Sequence, residues 1–355
     1  MRFVAAKPLG RSSVLLAVGA LGVAALAGCA GGTKPAAHTV TLQTPSPPAP
    51  PSATPSPRPV SPLTGLPAAD PASIARPALS IKIDNIASAL PQAGVNQADI
   101  VTEALVEGGL TRLLATYQST GASAVGPVRS ARPVDADLLR ELNGGYFGYS
   151  GAAAGEIAPV IDHSTSLLLG FDDHPSLYYR AHGRYAPHNV FTSTASLWAA
   201  GHAQRPTMPA PPRLFSYSAT PGAGTPAGHV TMAFSPMSSA AWTWSGGHWL
   251  RTQDGSPDVL VDGSRVTADN IVILSVATAG TGITDAAGNE DPLPVVIGSG
   301  TCWLLRDGQV QQGTWQRPTV ARPMVIVDAA GHPLPLHPGR TWIELLPKPH
   351  APAFS

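Results

Sequence analysis

The chain has 355 residues, 43% of them hydrophobic and only 12% charged, and its 22 basic and 22 acidic side chains cancel to a net charge of zero. That balance excludes the basic footprint of a nucleic-acid-binding protein and leaves no polybasic patch for a membrane surface. With only two cysteines, Cys29 and Cys302, a disulfide framework and a cysteine-based zinc site are excluded as well.

At the N-terminus, Arg2, Lys7 and Arg11 precede an apolar run over 14–26, which is too short to span a bilayer comfortably. The run ends in Leu26-Ala27-Gly28-Cys29, small residues leading directly to a cysteine. Residues 1–29 therefore read as a bacterial lipoprotein signal peptide, with Cys29 acylated as the first mature residue. The alternative is an ordinary secretory signal with an accidental cysteine. Residues 30–60, including "TPSPPAPPSATPSPRPV", offer few apolar side chains to bury, and their prolines favour extended chain. They read as a disordered tether. The expected location is the outer face of the cytoplasmic membrane, with the lipid anchor as the membrane contact.

From 61 to 203 the pattern alternates. "ALSIKI" (78–83) reads as a buried strand ending at Asp84-Asn85. "NQADIVTEALVE" (96–107) has apolar positions at 100, 101, 104 and 105, a spacing that predicts a helix stopping at Gly108-Gly109. "TRLLATYQ" and "GYFGYS" read as strands, "VDADLLREL" as a helix opened by Pro133, and "AAAGEIAPVI" as partly helical. This order predicts an α/β domain with a mixed or partly parallel sheet.

Residues 204–226 are a Pro/Gly/Ala-rich linker. Beyond it, 227–355 holds short strands such as "HVTMAF", "NIVILSVAT", "TCWLLR" and "TWIELLP", with Asp307-Gly308 and Ala330-Gly331 in turns. A β-rich, mainly antiparallel domain is expected. Six of the seven tryptophans lie there; core and cross-strand packing is the preferred reading over a sugar-stacking face. Cys302, in an apolar strand, reads as a buried structural thiol.

"SPLTGLP" (61–67), "QADIVTEALVEGGLTRLLATYQS" (97–119), "VGPVRSARPVD" (125–135), "RYAPHNVFTS" (184–193), "GTWQRP" and "GRTWIELLP" together cover nearly the whole chain after the tether. In these motifs the sequence resembles the YerB-type lipoproteins, which carry one domain of unknown function (family 3048) in each half. One departure is Thr102, where the resemblance leads us to expect an aromatic side chain. The resemblance implies a two-domain envelope lipoprotein and brings no catalytic residues.

The charge of this charge-poor chain concentrates in "GPVRSARPVDADL" (126–138) and just upstream of it. Arg129 and Arg132 lie in a loop between a strand and a helix, where free N–H groups and planar guanidiniums suit phosphate or carboxylate. Arg112, Glu103 and Glu107 support them, the two glutamates being placed on one face of the expected helix. Asp84 and Asn85 at a strand end, and Arg184, His188 and Asn189 in "RYAPHN", complete one candidate basic pocket. The competing reading is internal pairing, with Glu103, Glu107 and Asp135 neutralising the arginines, and with His188 and Asn189 tying down a loop.

Three other signals fail. "GYSGA" lacks the second glycine of a nucleophile elbow, the histidines lack a zinc spacing, and the Gly-rich pieces lack a phosphate-loop lysine. No cofactor or metal is expected. The favoured function is binding of an anionic cell-wall or lipid-linked phosphate ligand; the alternatives are an envelope-polymer hydrolase or phosphotransferase, and a protein-interaction scaffold.

Overall fold

The computed structural model describes residues 58–285 and 288–355. The expected signal peptide, Cys29 and nearly all of the 30–60 tether lie outside them. No helix among the described residues is long and apolar enough to cross a membrane.

The first half contains α1 (Pro71–Ala75), β1 (Leu79–Asp84), β2 (Ile100–Leu105), β3 (Thr111–Tyr117), α2 (Val134–Arg140), β4 (Tyr146–Tyr149), α3 (Ala154–His163), β5 (Leu167–Gly170), β6 (Tyr178–Arg180), β7 (Val190–Thr192) and α4 (Thr194–Gln204). The regular elements among the described residues of the second half are strands: β8 (Thr225–Pro226), β9 (His229–Ser235), β10 (Ser238–Ser245), β11 (His248–Gln253), β12 (Ser256–Pro257), β13 (Thr267–Ala268), β14 (Asn270–Thr284), β15 (Glu290–Val295), β16 (Gly298–Arg306), β17 (Gln309–Arg317), β18 (Val325–Val327), β19 (Thr341–Pro347) and β20 (Ala353–Phe354). The first half is thus α/β with a partly parallel sheet, and the second is β-rich and mainly antiparallel.

Among the described residues twelve strands form one sheet, in the order β18-β17-β16-β14-β19-β2-β3-β1-β4-β5, with β15 on β14 and β8 on β17. β4 runs parallel to both β1 and β5. β19, near the C-terminus, lies parallel between β14 and β2, so the strands of both halves share the sheet. A second sheet, β12-β11-β10-β9-β20 with β13, covers one face together with α4 through Val230, Phe234, Trp242 and Leu197. Helices α2 and α3 cover the other through Val134, Leu139 and Val160. The 204–226 stretch packs too: Phe215 is buried, and Ser218 N donates to Leu336 O.

One expected helix is a strand. Residues 100–105 form β2, flanked on both sides by β3 and β19. Ile100 and Ala104 face the helix layer while Val101 and Leu105 face the second sheet. A strand buried on both faces carries apolar residues on both, which erases the alternation and leaves a spacing that imitates a helix. Gly108 and Gly109, at φ 69° and 74°, turn β2 back into β3 instead of ending a helix.

The other local signals hold. Asp307 and Gly308, at φ 53° and 71°, make the two-residue β16–β17 hairpin, the left-handed pair such a turn requires. Trp242, Trp249, Trp315 and Trp342 are buried, and Trp242 meets Trp342 edge-on at 5.1 Å. Cys302 is buried in the helix-side core, where burial pushes its thiol up to about 12.

Candidate functional site

Alternation along the strands distributes the candidate residues. In β1, Ile81 and Ile83 face the second sheet, while Lys82 and Asp84 face the helix side with Arg112 of β3. Glu103 of β2 points the opposite way from Arg112. The expected shared helical face of Glu103 and Glu107 does not exist, because Glu103 is inside a strand and Glu107 is in the turn after it. The sheet itself separates them.

On the second-sheet face, Glu103 Oε2 takes a bond from Arg251 Nη2 at 2.6 Å, and Arg251 Nη1 reaches Asp258 at 2.5 Å. Asn85 joins this group: its Nδ2 donates to Glu103 Oε1 at 2.9 Å and Thr111 Oγ1 at 2.8 Å, and its Oδ1 accepts from Gln92 at 2.8 Å. Glu344 is 2.8 Å from Trp242 Nε1, and Arg251 lies over the Trp342 ring at 4.8 Å. Burial opposes the charge on Arg251, but Glu103, Asp258 and Glu344 outweigh it and raise its pKa above the ordinary value. Burial, then the neighbouring Glu103, raises Glu344 well above the carboxylate range. This is an interior brace between the two sheets.

On the helix side, three carboxylates converge on Arg132. Glu107 accepts from its Nε at 2.8 Å and also from its Nη2, Glu156 lies 3.2 Å from Nη1, and Asp291 lies 3.4 Å from Nε. Glu107 also takes Arg112 Nη2 at 2.7 Å. Burial opposes ionisation of Glu107, yet the Arg132 bond and the two guanidinium charges hold its carboxyl below the usual value. Arg112 is lowered to about 10 by burial and by its like-charged neighbour Arg132. The seven-residue α2 begins beside an anion of the chain's own: Asp135 accepts from Arg132 N at 2.8 Å and from Lys82 Nζ at 2.7 Å.

The third group lies at the carboxyl ends of parallel β1 and β4, the edge of an open α/β sheet where ligands gather. The segment 126–129 is stitched across that edge. Asp84 N donates to Pro127 O, Arg129 N to Lys82 O, and Val128 N to Val190 O, while Ser150 N donates to Arg129 O. This brings Arg129 to His188, 59 positions away in the chain (188 − 129). Both hold one oxygen: Asp84 Oδ2 is 3.0 Å from Arg129 Nε and 2.6 Å from His188 Nδ1. The Asp84 side chain is 2% exposed, whereas those of Arg129 and His188 are 23% and 18% exposed. A carboxylate only accepts, so Nδ1 carries the proton and Nε2 is left as the ring's other hydrogen-bonding atom. Nε2 and the two terminal nitrogens of Arg129 have no hydrogen-bond partner among the described residues.

Arg184 and Asn189 hold the adjoining loop. Arg184 donates to Ala89 O at 2.8 Å and to Pro91 O, and Asn189 Oδ1 accepts from Arg180 at 2.7 Å. The ten candidates thus divide into an interior brace, a carboxylate-sealed pair of arginines, a half-open corner and two loop pins. Sequence reading passed over Arg251, Glu344, Lys82, Glu156 and Asp291. Lys82 and Glu344 did carry a signal, a charge in the middle of an apolar strand.

Comparisons with known proteins agree with this architecture. Residues 63–207 match the family described as "Protein of unknown function (DUF3048) N-terminal domain", and residues 230–343 match its C-terminal domain. The chain is 30% identical over 313 residues to a Bacillus subtilis (strain 168) protein named "Putative lipoprotein YerB", covering 83% of this chain and 88% of that one. A crystal structure of the YerB protein from Bacillus subtilis superposes with a TM-score of 0.71 at 26% identity, over 83% of this chain and all of that one.

Proposed function

The chain belongs to the DUF3048 family, and from that premise we propose that it is a lipid-tethered envelope protein that binds a phosphate-bearing ligand at the Arg129–His188 corner. On this reading Cys29 carries the anchor on the outer face of the cytoplasmic membrane and residues 30–60 act as the tether. Residues 61–203 and 227–355 then act as two domains joined by 204–226. The relative's name supports the anchor.

One observation carries the binding site: a single buried carboxylate, Asp84, orients both Arg129 and His188 and leaves their outer nitrogens uncovered. Asp84 uses only the Nε edge of the guanidinium, so the two terminal N–H groups remain for a planar, two-pronged grip on an anion. Orientation by a buried partner reduces the ordering cost of binding. Arg112 and Arg132 are spent on carboxylates instead, which is the observation favouring the scaffold alternative.

The test is melting temperature with and without inorganic pyrophosphate for the parent and for Arg129→Gln. The parent should be stabilised by the anion. The variant should fold normally and lose more than about tenfold in affinity, the worth of one charge-assisted contact. A parent indifferent to the anion, or a variant that responds equally, turns the reading to the scaffold.

A further inference from the structure

Beside the corner stands a side chain that the charge network does not use. Tyr185 is 88% exposed, the most exposed of the large hydrophobic side chains among the described residues. A single exposed aromatic is ordinary on a protein surface. This one differs in how it is held.

The segment 184–189 is fastened at both ends. Arg184 is tied to the carbonyls of Ala89 and Pro91 and lies over the Phe191 ring at 5.3 Å. Ala181 N donates to Asn189 O at 2.8 Å, and Asn189 Nδ2 donates to Arg184 O at 3.4 Å. Between the fastenings, His188 N donates to Tyr185 O at 2.9 Å. That i→i+3 bond closes a β-turn, which brings the two α-carbons within about 7 Å of each other. The exposed phenol is therefore carried on the same pinned turn as the imidazole.

We infer that the ligand of the Arg129–His188 corner is a phosphorylated sugar, its phosphate on those two side chains and its ring against Tyr185. This rests on the anion-binding reading above and adds the class of ligand. The corner's charge fits. Arg129 is the fixed cation of the corner, and its unpartnered terminal nitrogens suit the oxygens of a single phosphoryl group. A tyrosine supplies a broad, amphipathic contact with only two rotatable side-chain bonds, so holding a sugar ring costs little conformational entropy. Phosphate alone leaves that ring in water, and a neutral sugar leaves the terminal nitrogens of Arg129 without an anion.

The experiment measures binding of inorganic phosphate, glucose 1-phosphate, N-acetylglucosamine 1-phosphate and free glucose by calorimetry. The proteins are the parent, Tyr185→Ala, Tyr185→Phe and Arg129→Gln. The parent should bind at least one sugar phosphate about five- to tenfold more tightly than inorganic phosphate. Tyr185→Ala should bind the two alike, Tyr185→Phe should keep the preference, and Arg129→Gln should lose both ligands. All the Tyr185 variants should fold, because the side chain is 88% exposed. A parent with no preference, or Tyr185→Ala with the preference intact, overturns the sugar assignment and leaves the anion site standing. A parent that binds none of the phosphates overturns both.

Discussion

Arg251 and Arg129 are the same residue type meeting carboxylates in one molecule, and they end in opposite conditions. Arg251 is fully buried between the sheets, with Glu103 on one terminal nitrogen, Asp258 on the other and the Trp342 ring beneath. Arg129 shares one carboxylate with a histidine, through Nε alone, is 23% exposed, and has no partner on its terminal nitrogens among the described residues. The difference lies in how many carboxylates surround each guanidinium and which layers cover it. A fully buried guanidinium with a carboxylate on each terminal nitrogen is a brace. One oriented on a single edge is available to something else. Arg132, surrounded by three carboxylates yet lying near the sheet edge, is the intermediate case.

The sharpest way to break this comparison is Arg251→Met. Removing the cation leaves Glu103, Asp258 and Glu344 buried without their common partner, a loss of about 3–5 kcal/mol. The variant should melt roughly 10 °C lower in a thermal scan. Melting within about 2 °C of the parent would mean that the network is not a brace.

Arg132→Gln comes next. It frees Glu107, Glu156 and Asp291 to repel one another, although Arg112 still answers Glu107. We expect a loss of about 2–3 kcal/mol in denaturant titration and an unchanged pyrophosphate response. A stable variant that no longer responds to the anion would extend the binding site from Arg129 to Arg132.

The smallest effect concerns pH. Burial pushes the Asp291 carboxyl up to about 7, with Arg132 opposing and the neighbouring Glu107 and Glu156 assisting. A carboxyl whose folded value is raised binds its proton more tightly in the native state. Its contribution to stability is therefore complete below about pH 4 and is lost as pH rises toward 7. Asp291→Asn stays neutral throughout. Its stability should match the parent's near pH 4 and exceed it by about 1 kcal/mol at pH 8. A difference that does not change with pH would show that Asp291 ionises freely beside Arg132.

Much of the fold was legible locally. The strand at 78–83, the helix after Pro133, the Asp307-Gly308 hairpin and the inward-facing tryptophans each follow from a few neighbouring residues, because backbone conformation and amphipathic pattern are short-range properties. The concentration of charge around 103–137 was equally visible. The partners were not. Glu103 and Arg251 stand 148 positions apart, and Asp84 and His188 stand 104 apart. Nothing in the local pattern of either segment selects the other.

The sequence by itself determined the partly parallel α/β character of one half, the antiparallel character of the other, and the small set of side chains able to hold an anion. Tertiary structure decided which of them are open. β2 became a strand because β3 and β19 occupy both its edges, and that placed Glu103 on the face opposite Arg112. Once side chains alternate between two covered faces, neighbours in sequence become strangers in space. Whether a charge is sealed or available is then set by the layer packed above it, which only the complete fold supplies.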